Sequence, residues 1–282
     1  MADAGLDRQR YLAYLNGRRR FIGRAGFSDT SHLTRLDTRL TGNNLTFFAW
    51  IKWSGDATAN NEIISLCNTG ATTGNFVLRI VGTTGVLRAR KQNDAGSAGG
   101  NADISFATPS GVWVPVAAAF RSNTNRDVYL GRTSTTNDTT SVTNPTVDNQ
   151  NIGVQNNSGG PASPFLGEIA FPTIWGDDLG AHEIQNQLCA GVHPMNVSPH
   201  LIERAWWDFE GTDFSVKQAD MSMVGTGLYR TEAQGAGMLV RPPVRHPRSR
   251  FGLVDAVVAG GRIWKLAGTG GGLAGPARGL AG

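Results

Sequence analysis

Apolar and polar residues alternate in short runs along the first two thirds of the chain. In the run that follows Asn44, one face would carry Leu45, Phe47, Ala49, Ile51 and Trp53. Phe48 and Trp50 make part of the opposite face apolar as well. A strand that is apolar on both faces is typical of the middle of a stacked sheet. We therefore expect residues 45–53 to form a central strand.

Similar runs predict further strands, with turn-forming residues between them. These runs are Glu62–Cys67, Phe76–Val81, Val86–Lys91, Val112–Phe120, Arg126–Leu130, Asn151–Val154, Phe165–Trp175 and Leu201–Phe209, and the turns fall at 68–70, 82–85 and 93–100. This regular spacing is typical of a sandwich built from hairpins. Pro115 lacks a backbone N–H, which predicts an edge position or a bulge for the run that contains it.

The same pattern predicts the core and two short helices. The residues expected to be largely buried are Trp50, Ile51, Phe76, Leu78, Ile80, Trp113, Val116, Phe120, Ile169 and Trp175. Ile184 and Leu188 would share one face of a helix at 181–190, which Gly191 would end. Residues 6–15 would form a second, amphipathic helix.

Composition supports an all-β fold. The chain has 282 residues, of which 40% are hydrophobic and only 17% charged, and it contains 37 glycines. Gly, Asn, Thr and Ser favour turns and weaken helix interiors. We expect one large sandwich with appendages, because a chain of this length can bury one sizeable core.

The net charge of +4 is unevenly distributed. Arginines cluster near both ends, at Arg8, Arg10, Arg18, Arg19, Arg20 and Arg24 and at Arg241, Arg245, Arg248 and Arg250. They could be solvated arms, or they could dock on an acidic partner. A nucleic-acid partner is not expected, because acids balance or exceed bases between residues 25 and 240 and no aromatic-basic stacking motif occurs.

The two cysteines, Cys67 and Cys189, do not imply a disulfide framework. The first twenty residues lack the apolar stretch of a secretion signal, and no apolar run approaches the ~20 residues of a membrane span. We therefore expect a soluble protein made in a cytoplasm, without membrane insertion.

Catalytic signals are weak. A retaining glucanase needs two carboxylates about 5–5.5 Å apart, which strands supply through closely spaced acids. The glutamates are instead scattered singly, at Glu62, Glu168, Glu183, Glu203, Glu210 and Glu232. Glu168 has no acidic neighbour at two-residue spacing, so we expect neither a catalytic role for it nor any enzymatic activity.

No cofactor is expected either. The five histidines show no HxH or HExxH spacing. A Ca²⁺ ion is the one alternative. Asp177 and Asp178, or Asp103, could contribute oxygen ligands to it, although no ligand set is assigned and the Asp177-Asp178 pair suits a helix-capping turn equally well. The tryptophans could stack on sugars, but all except Trp264 fall in strand-like runs where core packing is expected.

Five segments resemble the laminin-G-like domain of the concanavalin-A-like lectin/glucanase family, especially its bacteriophage members. They are LTFFAWIKW (45–53), NFVLRI (75–80), GVWVPVAAAF (111–120), DVYLG (127–131) and FLGEIAFPTIWGDDLGAHEIQNQLCAG (165–191). The chain departs from the pattern at Pro115-Val116, where a His-Val pair is usual, and at Gly180, where a Ser or Thr usually caps the helix. Asp177 or Asp178 would replace that cap.

The resemblance implies a two-sheet antiparallel jelly-roll sandwich and says little about function, because this fold hosts lectins, glycanases and structural modules. It sets the expected domains: a basic N-terminal arm (1–29), the sandwich (30–215) and a C-terminal extension with a Gly-rich tail (216–282).

Function is predicted from the ends. Residues 259–282 have too little apolar area to order themselves, so we expect a neighbouring subunit to hold them. With the phage-type resemblance, this favours a structural protein of a bacteriophage virion, assembled in the host cytoplasm, such as a capsid decoration, head-fibre or tail-associated protein. It would form homo-oligomers and contact other virion subunits. The predicted docking residues are Arg18, Arg19, Arg20, Arg245, Arg248, Arg250, Phe251, Ile263 and Trp264.

Two alternatives remain. A carbohydrate-binding adhesin would grip a host surface glycan with loops at one end of the sandwich, such as 95–103 or 149–163. A divergent glycoside hydrolase would need a carboxylate pair that the spacing of acids does not reveal.

Overall fold

The computed structural model describes residues 22–36, 40, 42–55, 59–82, 84–106, 110–137 and 139–205, with further strands at 222–224, 229–232, 257–259 and 262–264. Side chains are described within the range 25–205. The chain divides into two compact units, residues 1–243 and 244–282. The described part of the second unit is an antiparallel hairpin, Val257–Ala259 with Arg262–Trp264.

In chain order the strands are β1 (Ile22–Ala25), β2 (His32–Leu36), β3 (Leu45–Trp53), β4 (Asn61–Cys67), β5 (Asn75–Val81), β6 (Val86–Gln92), β7 (Gly99–Ser105), β8 (Trp113–Phe120), β9 (Arg126–Leu130), β10 (Thr133–Asn137), β11 (Asn149–Ile152), β12 (Gln155–Asn157), β13 (Gly160–Ala162), β14 (Gly167–Trp175), β15 (Ile202–Ala205), β16 (Ser222–Val224), β17 (Tyr229–Glu232), β18 (Val257–Ala259) and β19 (Arg262–Trp264).

Two large antiparallel sheets form the first unit. The first sheet has the order β10-β9-β8-β3-β14-β1-β17, and β15 also pairs with β14. The second sheet has the order β16-β2-β11-β4-β5-β6-β7. Non-sequential neighbours such as β3 and β14 are typical of a jelly roll, so the predicted all-β, two-sheet sandwich is confirmed.

The main core lies between the two sheets. Phe120 contacts Phe47 and Phe76 edge to face, with ring centroids 5.2 and 5.1 Å apart. Such aromatic contacts add to the free energy gained by removing the rings from water. All residues predicted to be buried are buried except Trp113, which is only half-buried. Trp113 opens β8 opposite Lys52, near the end of β3, and packs at the margin of the second core described below.

A second core covers the outer face of the first sheet. Phe48, Trp50, Tyr129 and Trp175 form it with residues from the segment that follows β14. That segment includes the predicted helix, observed as a π-helix over His182–Leu188, whose buried residues are Ile184 and Leu188. The two-faced apolar pattern of β3 is explained by this layer, because β3 packs against a core on each side.

Pro115 does not lie on an edge strand, so that prediction is wrong. β8 pairs with both β3 and β9. The carbonyl oxygen of Pro115 accepts a hydrogen bond from Gly131 N at 2.9 Å, beyond the end of β9. Since the N–H and C=O of one strand residue point to the same side, the missing donor faces the β9–β10 turn rather than the β3 ladder.

The prediction that Asp177 or Asp178 caps the helix is also wrong. Gly180 N donates to Glu183 Oε2 at 2.9 Å, and the residue at the cap position makes no side-chain capping bond. The carboxylate of Asp178 instead pairs with Arg121 at 3.0 Å, and Asp177 Oδ1 accepts from Asp178 N. A carboxylate that neutralises a nearby guanidinium is not available to the helix.

The sheets extend beyond the predicted sandwich bounds of 30–215 at both ends. β1 pairs with β14 and β17, and β16 pairs with β2. The helix predicted at 6–15 lies outside the described residues. None of the helices in the described part of the chain is long and apolar enough to cross a membrane.

Candidate functional site

Several connections meet at one end of the sandwich because neighbouring antiparallel strands reverse direction. We call this surface the loop face and define it as residues 42–44, 68–74, 93–98, 121–125, 139–148 and 157–160. It is rich in Asn, Thr, Ser and Gly. Its side chains therefore offer many hydrogen-bond donors and acceptors.

Carboxylates fix the loops to one another. Asp148 accepts hydrogen bonds from the backbone N–H and the hydroxyl of Thr69, at 2.8 and 2.6 Å. Asp94 accepts from Thr146 N at 2.9 Å, and its backbone oxygen accepts from the Thr73 hydroxyl at 2.8 Å. The three bonds to carboxylate oxygens have charged acceptors, which makes them stronger than bonds between neutral groups. The loops are thus held in place before any ligand arrives.

The β12–β13 hairpin is attached to the same surface. Asn157 Nδ2 donates to Thr72 O at 2.7 Å, and Ser158 N donates to Ala71 O at 3.0 Å. Because both acceptors are backbone oxygens of the loop at 68–74, the hairpin tip and that loop form one continuous surface.

A buried lysine lies beneath the loop face. Lys91 points to the same side of β6 as the core residues Leu87 and Ala89 and is fully buried. Its ammonium nitrogen lies 5.5 Å from the centroid of the Phe76 ring. Burial and the positive charge of Arg126 lower the pKa of Lys91 to about 8.

Three asparagine side chains cover that ammonium. Lys91 Nζ donates to Oδ1 of Asn43 at 2.6 Å, of Asn123 at 2.8 Å and of Asn144 at 2.6 Å. We call Lys91 and these three asparagines the ammonium cap. Each asparagine comes from a different connection of the loop face, so a single cation holds three loops together.

Arg126, at the start of β9, is also fully buried. Its Nη2 donates to Asn123 O at 2.9 Å and to Thr140 O at 2.7 Å, whereas Nε and Nη1 have no partner among the described residues. A Cβ at position 100 would lie 1.5 Å from Nη1, so any side chain at Gly100 would displace this guanidinium. Burial lowers the pKa of Arg126.

Several carboxylates elsewhere in the described ranges are paired with cations. Glu168 pairs with Lys52 at 2.7 Å, and Asp103 forms two 2.6 Å bonds with Arg88. Glu62 is fully buried 3.3 Å from Arg79, and burial raises the pKa of its carboxyl.

Two of the three acids named as possible Ca²⁺ ligands are therefore not free. Asp103 and Asp178 both bind arginines. Within the ranges that the structure describes, no group of three or more His, Cys, Asp or Glu side chains is placed to hold a metal ion.

The sequence profile of the concanavalin A-like lectin/glucanases superfamily matches residues 27–185, which is more than half of the chain. The chain belongs to this superfamily. The resemblance to laminin-G-like domains is thereby confirmed, and the narrower bacteriophage membership stays a prediction. None of the curated proteins compared with the chain by sequence matches it.

Several solved structures resemble the chain at low sequence identity. A native heptameric SAP-like pentraxin from Limulus polyphemus is 16% identical with a TM-score of 0.55, and the match covers 76% of this chain and 96% of the pentraxin. The CBM40 of a Ruminococcus gnavus IT-sialidase is 20% identical with a TM-score of 0.46, covering 57% of this chain and 95% of the CBM40. At these identities the likeness concerns the fold alone.

The two segments expected to be glycan-gripping loops, 95–103 and 149–163, are only partly loops. Residues 99–103 belong to β7 and 149–152 to β11, both inside the second sheet. Residues 95–98 and 157–160 do reach the loop face. The ammonium cap was missed, although one sequence signal pointed to it: Lys91 continues the alternation of Leu87 and Ala89 on the inward side of the run VLRARKQ.

The predicted docking residues are not tested by the structure. Arg18, Arg19, Arg20, Arg245, Arg248, Arg250 and Phe251 lie outside the described residues. Ile263 and Trp264 belong to strand β19, whose side chains are outside the description. Their role in binding a partner subunit stays a prediction.

Proposed function

We propose that the chain is a non-catalytic carbohydrate-binding module that holds glycans on its loop face. The ammonium cap is the observation that carries this proposal. It places three carboxamides from three loops side by side at the surface end of the sandwich, two of them, Asn123 and Asn144, on exposed residues. Rigid, convergent polar groups of this kind can bind the oxygens of a sugar ring in a fixed orientation.

Membership of a superfamily of lectins and glucanases leaves binding and hydrolysis open, and the site favours binding. Hydrolysis with retention needs two carboxylates about 5–5.5 Å apart, one of them protonated near neutral pH. Glu62 has the raised pKa that a proton donor needs, but it is fully buried and cannot reach a glycosidic bond. Glu168 is neutralised by Lys52.

A second role is compatible with glycan binding and is favoured by the basic ends of the sequence. In this role, the module is displayed on a bacteriophage particle and its arginine-rich ends bind neighbouring subunits. These subunits are further copies of the same chain or other virion proteins. Such a protein would be assembled in the bacterial cytoplasm. Arginine suits this docking because its planar fork binds carboxylates with two hydrogen bonds.

The glycan-binding proposal is tested on an array of host and microbial glycans. The wild-type protein, Asn144→Ala and Asn186→Ala are compared. Asn186 is an exposed asparagine on the π-helix, which is not part of the loop face as defined, and serves as the matched control. Removing Asn144 deletes one amide from the site, so we expect binding to weaken by about tenfold, corresponding to one lost hydrogen-bonding group.

Asn186→Ala is expected to bind like the wild type. The proposal is overturned if the wild-type protein binds no glycan, or if Asn144→Ala and Asn186→Ala bind equally well.

A further inference from the structure

Two cations are buried side by side under the loop face without an anion. Lys91 and Arg126 are both fully buried, and the charge of Arg126 acts on Lys91. In the described part of the chain no carboxylate contacts either of them. Buried charges are normally paired, because removing an ion from water without a counter-ion is costly.

Nearby acids do not compensate these charges. Asp127 is adjacent to Arg126 in β9, but its side chain points to the opposite face and binds Arg121 at 2.7 Å. Asp94 and Asp148 hold Thr146 and Thr69. The positive charge under the ammonium cap therefore acts on whatever lies above it.

The asparagine side chains place hydrogen-bond donors at the surface, above the two buried cations. Each Oδ1 points inward to the ammonium, which leaves the amide N–H groups on the other side. Asn43 Nδ2 donates to Asn123 Oδ1 at 3.0 Å, whereas Asn123 and Asn144 are exposed. Amides whose oxygens are occupied offer hydrogen-bond donors to a ligand.

Arg126 adds an independent observation. Its Nε and Nη1 are buried and without a partner among the described residues, while Nη2 binds the backbone oxygens of Asn123 and Thr140. The guanidinium thus lies directly behind two loops that contribute to the ammonium cap, and no carboxylate of the described residues pairs with its charge. Charge in a region of low dielectric acts over a longer distance than charge in water.

We propose that the ammonium cap binds the anionic group of an acidic sugar, a carboxylate or a sulfate ester, and so selects acidic over neutral glycans. This inference rests on the proposed function and specifies its ligand class. The amide N–H groups of Asn123 and Asn144 donate to the anionic oxygens, and Lys91 and Arg126 supply the attractive field from below. Donor groups backed by positive charge suit such oxygens better than neutral hydroxyls.

The test first changes the ligand and leaves the protein intact. Binding of the wild-type protein is measured by calorimetry to polygalacturonate and to its fully methyl-esterified form, and to dextran sulfate and unmodified dextran. We expect each acidic polymer to bind at least about tenfold more tightly than its neutral counterpart, with the advantage shrinking as salt rises. The two pairs separate a carboxylate from a sulfate preference.

A variant then locates the effect. Lys91→Met keeps the unbranched shape of the side chain, shortens it by one atom and removes the charge, and circular dichroism verifies its fold. We expect it to lose most of the preference for the acidic polymers, while Asn186→Ala keeps it. Because the pKa of Lys91 is about 8, the wild-type preference should also fall as the pH rises through that value, whereas Arg126 stays charged and the asparagines do not titrate.

The outcomes separate the two proposals. Binding to no glycan of the array and to neither member of either pair overturns the proposed function, and the acidic-sugar inference with it. Binding to glycans of the array but to neither acidic polymer overturns the inference alone. Equal binding to the acidic and neutral members overturns the inference alone. If Lys91→Met folds and keeps the full preference for acidic polymers, that preference arises elsewhere in the protein, and the inference is again overturned. If Lys91→Met does not fold, the ligand pairs and the pH series on the wild-type protein still decide.

Discussion

Lys91 shows how a single side chain can organise a surface at the cost of stability. Its ammonium is satisfied by three amide oxygens, but amides carry no charge to offset the loss of hydration. The lowered pKa of Lys91 expresses that cost, since burial favours the neutral amine. Functional sites commonly hold such unfavourable arrangements because ligand binding uses them.

The lowered pKa of Lys91 predicts that the free energy of unfolding depends on pH. The pKa of Lys91 falls from an ordinary value of 10.5 in the unfolded chain to about 8 in the folded protein. Between these values the unfolded chain binds more protons than the folded one, so the free energy of unfolding should rise with pH over this window. We expect a smaller rise for Lys91→Met, measured by urea denaturation at points from pH 7.5 to 10. Parallel curves for the two proteins would contradict the prediction.

Trp175 links the first sheet to the covering segment. It is fully buried, its indole N–H donates to Val197 O at 3.0 Å, and its ring meets Phe48 edge to face at 6.5 Å. Trp175→Ala should lower the free energy of unfolding by about 3–5 kcal/mol, because it leaves a cavity and an unpaired buried oxygen. Urea denaturation measures this.

Trp113→Ala is the matched control, because Trp113 is only half-buried. It should cost clearly less. If both variants lose the same free energy of unfolding, full burial of Trp175 in the second core stabilises the protein no more than the partial burial of Trp113 does.

At the scale of elements, sequence patterns predicted strands with a buried face and missed polar ones. β3 was predicted as a central strand because both its faces are apolar, and it lies between β8 and β14. β7 and β10 were not predicted; they are the outermost strands of their sheets and consist largely of polar or small residues. An edge strand needs less apolar surface, so the alternation that reveals a strand fades there.

The bulge in β14 is another feature that the pattern does not contain. The register between β14 and β3 shifts between Ala170 and Thr173, and Phe171 has φ of 51° with its ring buried. Positive φ is rare for aromatic residues. It occurs here because the surrounding packing, including His193 at 5.3 Å between rings, selects it. No local sequence preference predicts that.

Two glycines allow a paired test of close packing between elements. Gly153 connects β11 and β12 with φ of 84°, and Gly160 opens β13 with φ of 86°. A Cβ at Gly153 would lie 2.0 Å from the ring of Phe27, whereas nothing lies within 4 Å at Gly160. Both changes to Ala incur the same backbone strain, on the order of 1–2 kcal/mol.

Gly153→Ala should therefore lower the free energy of unfolding by about 1–3 kcal/mol more than Gly160→Ala, because Phe27 is buried and must move. Thermal and urea denaturation of both variants measure the difference. No difference would indicate that the Phe27 ring relaxes freely.

At the scale of the whole molecule, the acids of the described residues predict an absence of glycoside hydrolysis. Purified protein is expected to release no reducing sugar from laminarin, agarose or bacterial exopolysaccharide, because the acids with candidate roles are paired with cations or buried. Release of reducing sugar that Glu168→Gln abolishes would refute this and restore the glycosidase interpretation.

The predicted arms are tested by deletion. Because β1 belongs to the first sheet, the N-terminal deletion should remove residues 1–21 and leave Ile22 onward. The other variant removes 241–282. Each is expected to stay folded and soluble and to lose attachment to particles that lack the protein, as measured by co-sedimentation. Full occupancy with both segments removed would assign attachment to the sandwich itself.

The candidate site was predictable in outline only. Asn, Thr and Gly runs located several of its loops, since these residues favour turns. The ammonium cap depends on Asn43, Asn123 and Asn144, which are far apart in sequence and meet only when the strands between them are folded. A contact of that kind carries no spacing signal.

The pairing of β1 with β17 has a mechanical consequence. Ile22 lies opposite Glu232, so the chain enters and leaves the sandwich at neighbouring positions on one margin of the first sheet. A pulling force applied through the two flanking segments would load the ladder hydrogen bonds one after another, like a zipper, instead of shearing them together. The module would therefore resist tension applied through both flanking segments only weakly, and it could be inserted into a surface loop of another protein with little separation between the joined ends.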